Sequence, residues 1–254
     1  MKIISFMNQK GGVGKTTTTF HFASYQASKG KKVLCIDLDP QGSLSFCMGA
    51  DTEGQNTVYE LLMGQATFDE TVQKGNYGDI IPSDTTLGVL SGELEKAKDK
   101  LNLLKKSLAG RLGQYDYVLI DCPPAMTLFN LNALSISNNV VIVTQAEALS
   151  LLGLPQVFDL INNSDRFYMK KINIAGILIT MYNGALKISR AMRDKIKDVV
   201  ERFDIFSYNT LVKKLTAINE ATVNQKSVFD YAPKSQASEL YLQACEEIES
   251  SLKD

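Results

Sequence analysis

The sequence predicts an α/β protein: a single-domain, doubly wound, mostly parallel sheet flanked by helices, spanning residues 1–254. Short apolar runs rich in β-branched residues alternate with stretches of helical length, which is the pattern of repeated β and α units. The runs are nearly continuous, so each strand should be covered on both faces. The 44% apolar composition supplies a large core, and no repeat, low-complexity tract or linker divides the chain.

The elements are assigned from these runs and from their end signals. The predicted strands span residues 2–8, 32–38, 79–82, 117–120, 140–144 and 172–180. The predicted helices span residues 15–30, 57–63, 87–108, 149–162 and 188–203. Gly30 is suited to cap the first helix, because glycine readily adopts the conformation that ends helices. Thr57 and Glu60 form a T-x-x-E capping box at the start of the second.

Charge, cysteine content and hydropathy limit the classes of function. The chain has 27 Lys and Arg against 28 Asp and Glu, so its overall charge predicts neither a polyanion nor a membrane as partner. Any charge-driven binding must therefore be local. No apolar run approaches the roughly 18 to 20 residues of a membrane span. We expect a cytoplasmic protein with reduced thiols at its four cysteines, none of them in a C-x-x-C pair: Cys35, Cys47, Cys122 and Cys245.

A glycine-rich segment, Q-K-G-G-V-G-K-T-T at residues 9–17, lies between the first predicted strand and the first predicted helix. Backbone N–H groups and the helix dipole favour an anion there, so the segment predicts a phosphate loop and a P-loop NTPase fold. The common pattern G-x-x-x-x-G-K-[ST] fails only at its first position, which is Gln9. Lys15 should pair with the β and γ phosphates, and the Thr16 hydroxyl should ligate Mg²⁺. The predicted nucleotide-binding residues of the loop are Gly11, Gly12, Val13, Gly14, Lys15, Thr16 and Thr17.

The stretch K-G-G-V-G-K-T resembles the deviant Walker A motif of the ParA/MinD family of ATPases. The resemblance implies that Lys10 also contacts nucleotide, by reaching into that of a partner subunit. The active state would then be an ATP-dependent homodimer with ATP between its subunits. A second cation at the point where negative charge develops would act as an arginine finger does, so Lys10 and Lys15 are both candidate catalytic residues.

Three aspartates lie at the end of a predicted strand or just after it, at the edge of a doubly wound sheet where ligands collect. Asp39, in D-P-Q-G, lies in a segment similar to the first switch of ParA proteins, which implies that it positions the attacking water. Asp121, at the end of Y-V-L-I-D, resembles the Walker B aspartate of the family, which holds the magnesium shell. We assign Mg²⁺ to Thr16, Asp37 and Asp121. Taken singly, an aspartate at a strand end is more typical of a cap or turn.

The resemblance extends from residue 2 to about residue 252. It implies non-specific binding to double-stranded DNA in the ATP-bound state, association with the nucleoid, and a role in DNA partitioning. Hydrolysis would be weak alone and stimulated by a ParB-like centromere-binding protein. We expect no membrane partner. Which DNA element is partitioned stays open.

The C-terminal third departs from the family pattern, because Lys213, Lys214 and Ala217 stand where a Pro-Arg pair and a further arginine are usual. Residues 185–234 nevertheless carry ten Lys and Arg against six Asp and Glu. The charges of residues 190–197 fit a solvated helix face equally well. The candidate DNA-binding residues are Arg190, Arg193, Lys213 and Lys214.

Three alternative functions remain. A MinD-like membrane-cycling ATPase would need a basic amphipathic helix at the end of the chain, whereas residues 238–252 contain four glutamates and apolar positions suited to packing on the body. A metabolic P-loop enzyme is the second alternative, and no residue identifies its substrate. A P-loop tyrosine kinase would have a C-terminal tyrosine cluster, but only Tyr231 and Tyr241 lie there. His21, the single histidine, has no second ligand at metal-binding spacing and is assigned a structural role.

Overall fold

One mostly parallel sheet organises the molecule, a computed structural model that describes residues 1–89, 91–125 and 127–253. The strands of the described residues are β1 Lys2–Met7, β2 Val33–Asp37, β3 Gln73–Gly75, β4 Gly78–Ile81, β5 Tyr117–Asp121, β6 Asn139–Gln145, β7 Asn173–Tyr182 and β8 Ser207–Lys213. Their order is β3-β4-β2-β5-β1-β6-β7-β8. Only the β3–β4 pair among these is antiparallel. The predicted doubly wound, mostly parallel architecture is confirmed.

Helices cover both faces of the sheet. Their bounds are α1 Lys15–Ser28, α2 Ser43–Met48, α3 Val58–Met63, α4 Phe68–Thr71, α5 Thr86–Val89, α6 Ser91–Leu94, α7 Leu103–Ser107, α8 Leu128–Ile136, α9 Ala148–Tyr168, α10 Lys187–Arg202, α11 Thr216–Val223, α12 Val228–Tyr231 and α13 Gln236–Ser251. Two short 3₁₀ turns occupy Lys100–Asn102 and Leu112–Gln114. Residues of α1, α2 and α11 to α13 pack into one apolar cluster, and residues of α3 and α7 to α10 pack into another.

The central strands are apolar throughout because they contact both clusters. In β5, Leu119 packs into the first cluster, whereas Val118 and Ile120 pack into the second. Successive side chains of a strand point to opposite faces, so a strand buried on both sides needs apolar residues at every position. This is why the unbroken apolar runs predicted the inner strands correctly.

Local end signals are also confirmed. Gly30 has a φ of 73° directly after α1, where its backbone N–H bonds to Ala27 O at 2.9 Å. Thr57 and Glu60 form the predicted capping box at the start of α3, with the Thr57 N–H donating to Glu60 Oε2 at 2.8 Å. Both signals act within a few residues, so they hold whatever the tertiary surroundings are.

The single helix predicted over residues 87–108 is wrong. The structure divides this range into α5, α6, a 3₁₀ turn and α7, while Leu90 lies outside the described residues. Asp99 adopts a φ of 61°, which no continuous helix tolerates. Gly88 and Gly92 lower the helix propensity of the segment.

The final strand and the final helix were not predicted as such. β8 shows the alternating burial of an edge strand, and its polar positions hid it from a search for apolar runs. α13 packs beside it, and Glu247 accepts hydrogen bonds from the backbone N–H groups of Asn209 and Thr210, at 2.6 and 2.9 Å. These bonds satisfy donors that the free edge of β8 would otherwise expose.

His21 lies in the core, in agreement with the structural role assigned to it. Its Nδ1 donates to Thr17 O at 2.6 Å, its Nε2 accepts from Val228 N at 3.1 Å, and its ring stacks on Tyr241. One ring nitrogen therefore donates and the other accepts, as in a neutral imidazole. Burial lowers the pKa of His21 to about 4.

A lowered histidine pKa should make the protein less stable in acid. Below pH ~6.5 the unfolded chain binds a proton at His21 and the native protein does not, so the free energy of unfolding should fall by about 2 kcal/mol between about pH 7.5 and 5. Urea unfolding of the wild type and of His21→Gln at several pH values checks this. The raised carboxyl pKa values described below act in the opposite sense, so the test is the difference between the two proteins. Equal pH dependence would contradict the prediction.

Candidate functional site

The phosphate loop leads from β1 into α1 and is fixed from behind by two neighbouring strands. Gly12 and Gly14 adopt φ values of 71° and 90°, which favour glycine. The Gln145 Nε2 at the end of β6 donates to Gly12 O at 3.1 Å, and the Thr180 Oγ1 in β7 donates to Val13 O at 2.5 Å. In a trans peptide the N–H points away from the C=O. The carbonyls of Gly12 and Val13 bond to side chains of the strands. The N–H groups of the same two peptides, those of Val13 and Gly14, therefore point away from the strands.

A cavity of about 700 Å³ opens in front of this loop, within the size range of small-molecule sites. Its wall includes the predicted residues Gly11, Gly12, Gly14, Lys15, Thr16, Thr17 and Asp39. Phe46 and Met181 add apolar surface to the same cavity. The structure therefore brings the predicted phosphate loop and the first switch aspartate to one cavity.

Lys15 is the buried cation of the site, with only 5% of its surface exposed. Its Nζ donates to Lys10 O at 3.3 Å. Burial lowers the pKa of Lys15, while Asp121 and the neighbouring Cys122 and Asp39 act in the opposite direction. A cation held among the loop carbonyls and near carboxylates is suited to pairing with a phosphate.

Thr16 and Asp121 form the part of the site suited to a divalent cation. The Thr16 hydroxyl donates to Asp121 Oδ2 at 2.5 Å. Asp121 Oδ1 is buried and has no hydrogen-bond partner among the described residues. Burial, and next the neighbouring Asp37, raise the pKa of Asp121. A buried carboxylate oxygen with a free coordination position beside a hydroxyl fits Mg²⁺, which prefers oxygen ligands.

Asp37 lies opposite Asp121 in the pairing of β2 with β5. Its Oδ1 accepts from the Asp39 N–H at 3.0 Å, and its Oδ2 accepts from both the N–H and the hydroxyl of Ser45. Burial raises the pKa of Asp37. Asp37 therefore ties the segment that carries Asp39 to the end of β2, and any contact with a metal would be added to these bonds.

The Asp39 segment is also packed tightly against the next loop. Gly42 adopts a φ of 61°, and a Cβ there would lie 2.7 Å from Ser83 O. The Ser83 N–H donates to the Ser45 hydroxyl at 2.8 Å. Only glycine fits this turn, so Asp39 is held at the cavity by backbone packing as well as by Asp37.

Lys10 directly precedes Gly11 in the cavity wall, and its side chain contacts two residues that the sequence did not single out. Its Nζ donates to Gln145 Oε1 at 3.0 Å and to Glu147 Oε2 at 2.5 Å. Gln145 follows the predicted strand at residues 140–144 directly, and Glu147 lies two residues further on. The signal that located the aspartates at the strand ends could therefore have found this pair too.

The candidate DNA-binding residues lie in two places. Arg190 and Arg193 belong to α10, where Arg190 Nη1 donates to Gly184 O and Arg193 pairs with Asp194. Lys213 and Lys214 are exposed and border a small cleft beside Gly14 and Thr17. This second pair is therefore close to the phosphate loop, which the sequence alone did not indicate.

None of the helices in the described residues is long and apolar enough to cross a bilayer. This finding covers residues 1–89, 91–125 and 127–253.

Comparison with known proteins places this site in a family. Residues 1–175 match the AAA_31 family, described as an AAA domain. The chain is 32% identical to the sporulation initiation inhibitor protein Soj of Bacillus subtilis, over 97% of this chain and 98% of Soj. It is 33% identical to the chromosome partitioning protein ParA of Caulobacter vibrioides, over 100% of this chain and 96% of that protein.

A solved structure has a similar fold. Cobyrinic acid a,c-diamide synthase of Mycobacterium smegmatis, with a bound ATP analogue and magnesium, superposes with a TM-score of 0.82 at 26% identity, covering 97% of this chain and 93% of the synthase. The fold, the phosphate loop with its early lysine and the near full-length similarity to Soj and ParA lead to one assignment. The chain belongs to the ParA/MinD family of P-loop ATPases.

Proposed function

We propose that this protein is a ParA-like partitioning ATPase that forms an ATP-sandwich homodimer, binds DNA without sequence preference and is stimulated by a ParB-like partner. The observation that carries the proposal is Lys10, whose side chain is 30% exposed and which directly precedes Gly11 in the wall of the cavity. A second cation there can reach out of its own subunit, whereas Lys15 is enclosed. The similarity to a chromosome partitioning protein over the whole chain supports the biological role.

The site would hold Mg²⁺-ATP with residues in separate roles. The loop N–H groups and Lys15 would bind the phosphates, and Thr16 with Asp121 would hold the metal, with Asp37 beside them. Bound Mg²⁺ would neutralise charge on the phosphates. Asp39 would orient the attacking water, since it borders the cavity and is held by Asp37 and the Gly42 turn.

DNA binding is proposed to come from surface cations that the dimer brings together. α10 buries Met192, Ile196 and Val200 and leaves Lys187, Arg190 and Lys195 exposed. A single subunit with so modest a patch should bind weakly. Two patches in one ATP dimer would add their phosphate contacts on one duplex, which makes binding ATP-dependent and places the protein on the nucleoid.

The variant Lys213→Glu/Lys214→Glu should bind DNA more weakly than the wild type, by the same factor for duplexes of unrelated sequence. The slope of log affinity against log salt concentration should be shallower by about 0.9 per lost phosphate contact. ATP-dependent dimerisation should persist. DNA binding is measured by fluorescence anisotropy across a salt series, together with ATP affinity, because both lysines border the cleft at Gly14.

Lys31→Glu/Lys32→Glu is the matched control, since it makes the same charge change at an exposed pair. This pair directly precedes the amino end of β2, whereas the phosphate loop lies at the carboxyl ends of the strands. The variant Lys187→Glu/Lys195→Glu tests α10 away from the cleft. Wild-type affinity and salt slope in the Lys213/Lys214 variant would remove these two residues from the DNA surface.

Sedimentation tests the proposed function as a whole. The ATP-bound protein should pellet with DNA and not with liposomes. Pelleting with liposomes alone would instead support a MinD-like membrane cycle. The similarity to a diamide synthase favours a metabolic enzyme as the second candidate, and ATP-bound protein that pellets with neither DNA nor liposomes would point to it.

A further inference from the structure

Two residues at the end of β6 and just after it contact the ammonium of Lys10. Gln145 Oε1 lies 3.0 Å and Glu147 Oε2 lies 2.5 Å from Lys10 Nζ. The lysine side chain is 30% exposed and that of Glu147 is 58% exposed. The ammonium is therefore held at the surface of its own subunit, where it can be released without disturbing the core.

The side-chain amide of Gln145 is oriented by a second contact, to the phosphate loop, which turns its oxygen towards Lys10. Its Nε2 donates to Gly12 O at 3.1 Å and lies 2.8 Å from the sulfur of Met181. If the amide were reversed, an NH₂ group would face the ammonium and a carbonyl would face Gly12 O. The bond to the phosphate loop therefore fixes the amide with its oxygen towards Lys10.

The backbone of Lys10 is fixed independently of its side chain. Its N–H donates to Asn8 Oδ1 at 2.9 Å, and its carbonyl accepts from Lys15 Nζ at 3.3 Å. Asn8 is itself bonded to Val143 O in β6. With the backbone anchored on both sides, only the side chain of Lys10 is free to move between positions.

We propose that Gln145 and Glu147 are positioning residues that hold Lys10 in its own subunit in the nucleotide-free monomer, and that Lys10 leaves them when the ATP dimer forms. Only the release of Lys10 rests on the proposed function, because the contacts with Gln145 and Glu147 belong to the monomer. The Gln145–Glu147 pair takes two of the three N–H donors of the Lys10 ammonium, so a phosphate of the partner that takes more than one donor displaces Lys10 from the pair. Release from the pair is thus a step of dimer assembly.

The free energy of the contact between Lys10 and Glu147 determines how strongly the held position of Lys10 is populated. An exposed lysine–carboxylate pair contributes about 0.2 to 1 kcal/mol, which corresponds to about a 1.4- to 5-fold change in the ratio of held to free lysine. A hold of this size keeps Lys10 in place in the monomer and is readily outweighed by contact with a triphosphate.

Trace acetylation measures the held state directly. Nucleotide-free protein is treated with limiting acetic anhydride, and the acetylation rate of Lys10 is determined by peptide mass spectrometry in the wild type, Glu147→Gln and Gln145→Met. Glu147→Gln removes the charge and keeps a hydrogen-bond acceptor, whereas Gln145→Met removes the acceptor. Lys10 should react about 1.4- to 5-fold faster in both variants.

Asp99→Asn is the matched control, since it removes the carboxylate partner of another exposed lysine, Lys106. It should raise the acetylation rate of Lys106 and leave that of Lys10 unchanged. Equal Lys10 rates in the wild type, Glu147→Gln and Gln145→Met would overturn the proposal.

The second measurement repeats the comparison in the dimer. In an Asp39→Ala background with Mg²⁺-ATP, the difference in Lys10 reactivity between Glu147 and Glu147→Gln should disappear, because the lysine has left the pair. A difference that persists in a verified dimer would overturn the release step. If no dimer forms, the proposed function fails, while the nucleotide-free rates still decide whether Lys10 is held.

Discussion

Lys10→Ala should bind ATP as a monomer and hydrolyse it about 10³- to 10⁵-fold more slowly than the stimulated wild type, the range for a cation supplied in trans at a phosphoryl-transfer site. ATP affinity should change little, because the enclosed loop residues and Lys15 remain. The missing group is one that contacts the partner's nucleotide, so ATP-dependent dimerisation should be lost as well. Light scattering and ATP turnover on the same samples measure both effects.

Asp39→Ala is the matched comparison, because it removes a different function from the same cavity. It should bind ATP and form the dimer, yet turn ATP over poorly, since the water is no longer oriented. The two variants thus separate assembly from hydrolysis. Identical monomeric behaviour of both with ATP would contradict the roles assigned to Lys10 and Asp39.

Lys15→Ala should lower the affinity for Mg²⁺-ATP by roughly 100-fold, because losing a charged hydrogen-bond partner in such a site costs about 3 kcal/mol. Thr16→Val should weaken binding specifically in the presence of Mg²⁺, since it removes the hydroxyl bonded to Asp121. Calorimetry measures the affinities. The rise in melting temperature on adding Mg²⁺-ATP provides a second measure, because a ligand that binds only the native state stabilises it.

Thr19→Val serves as the control for Thr16→Val. The Thr19 hydroxyl donates within α1 to Lys15 O at 3.0 Å and does not border the cavity. The melting temperature without nucleotide reports whether each variant is folded. Wild-type nucleotide affinity in both folded site variants would exclude the phosphate-loop assignment.

Local sequence signals were sufficient for the fold class and for the centre of the site. Gly12 and Gly14 in the loop act through their own backbone conformations, and the apolar runs identify strands because both faces of the sheet are covered. The aspartates that end β2 and β5 follow from the same runs. These features depend on residues close together in the chain, so periodicity and spacing reveal them.

The break-up of residues 87–108 and the edge strand β8 needed the structure. In the first case a helical pattern is interrupted by glycines and by a residue with positive φ. In the second, polar outward positions and a carboxylate from α13 make an edge strand out of a segment with no apolar run. The surroundings decide β8, whereas low helix propensity at the glycines and the positive φ of Asp99 divide residues 87–108.

The sequence by itself determined the inner strands of the sheet, the phosphate loop and the acidic strand ends. Only the tertiary structure decided that Gln145 and Glu147 hold Lys10 across 135 and 137 positions of chain, and that Thr180 fixes Val13 across 167. It likewise decided that Lys213 and Lys214 border the cleft at the loop. The physical reason is strand order: the carboxyl ends of β1, β6, β7 and β8 are neighbours in the sheet, and no periodicity in the sequence specifies which strands lie side by side.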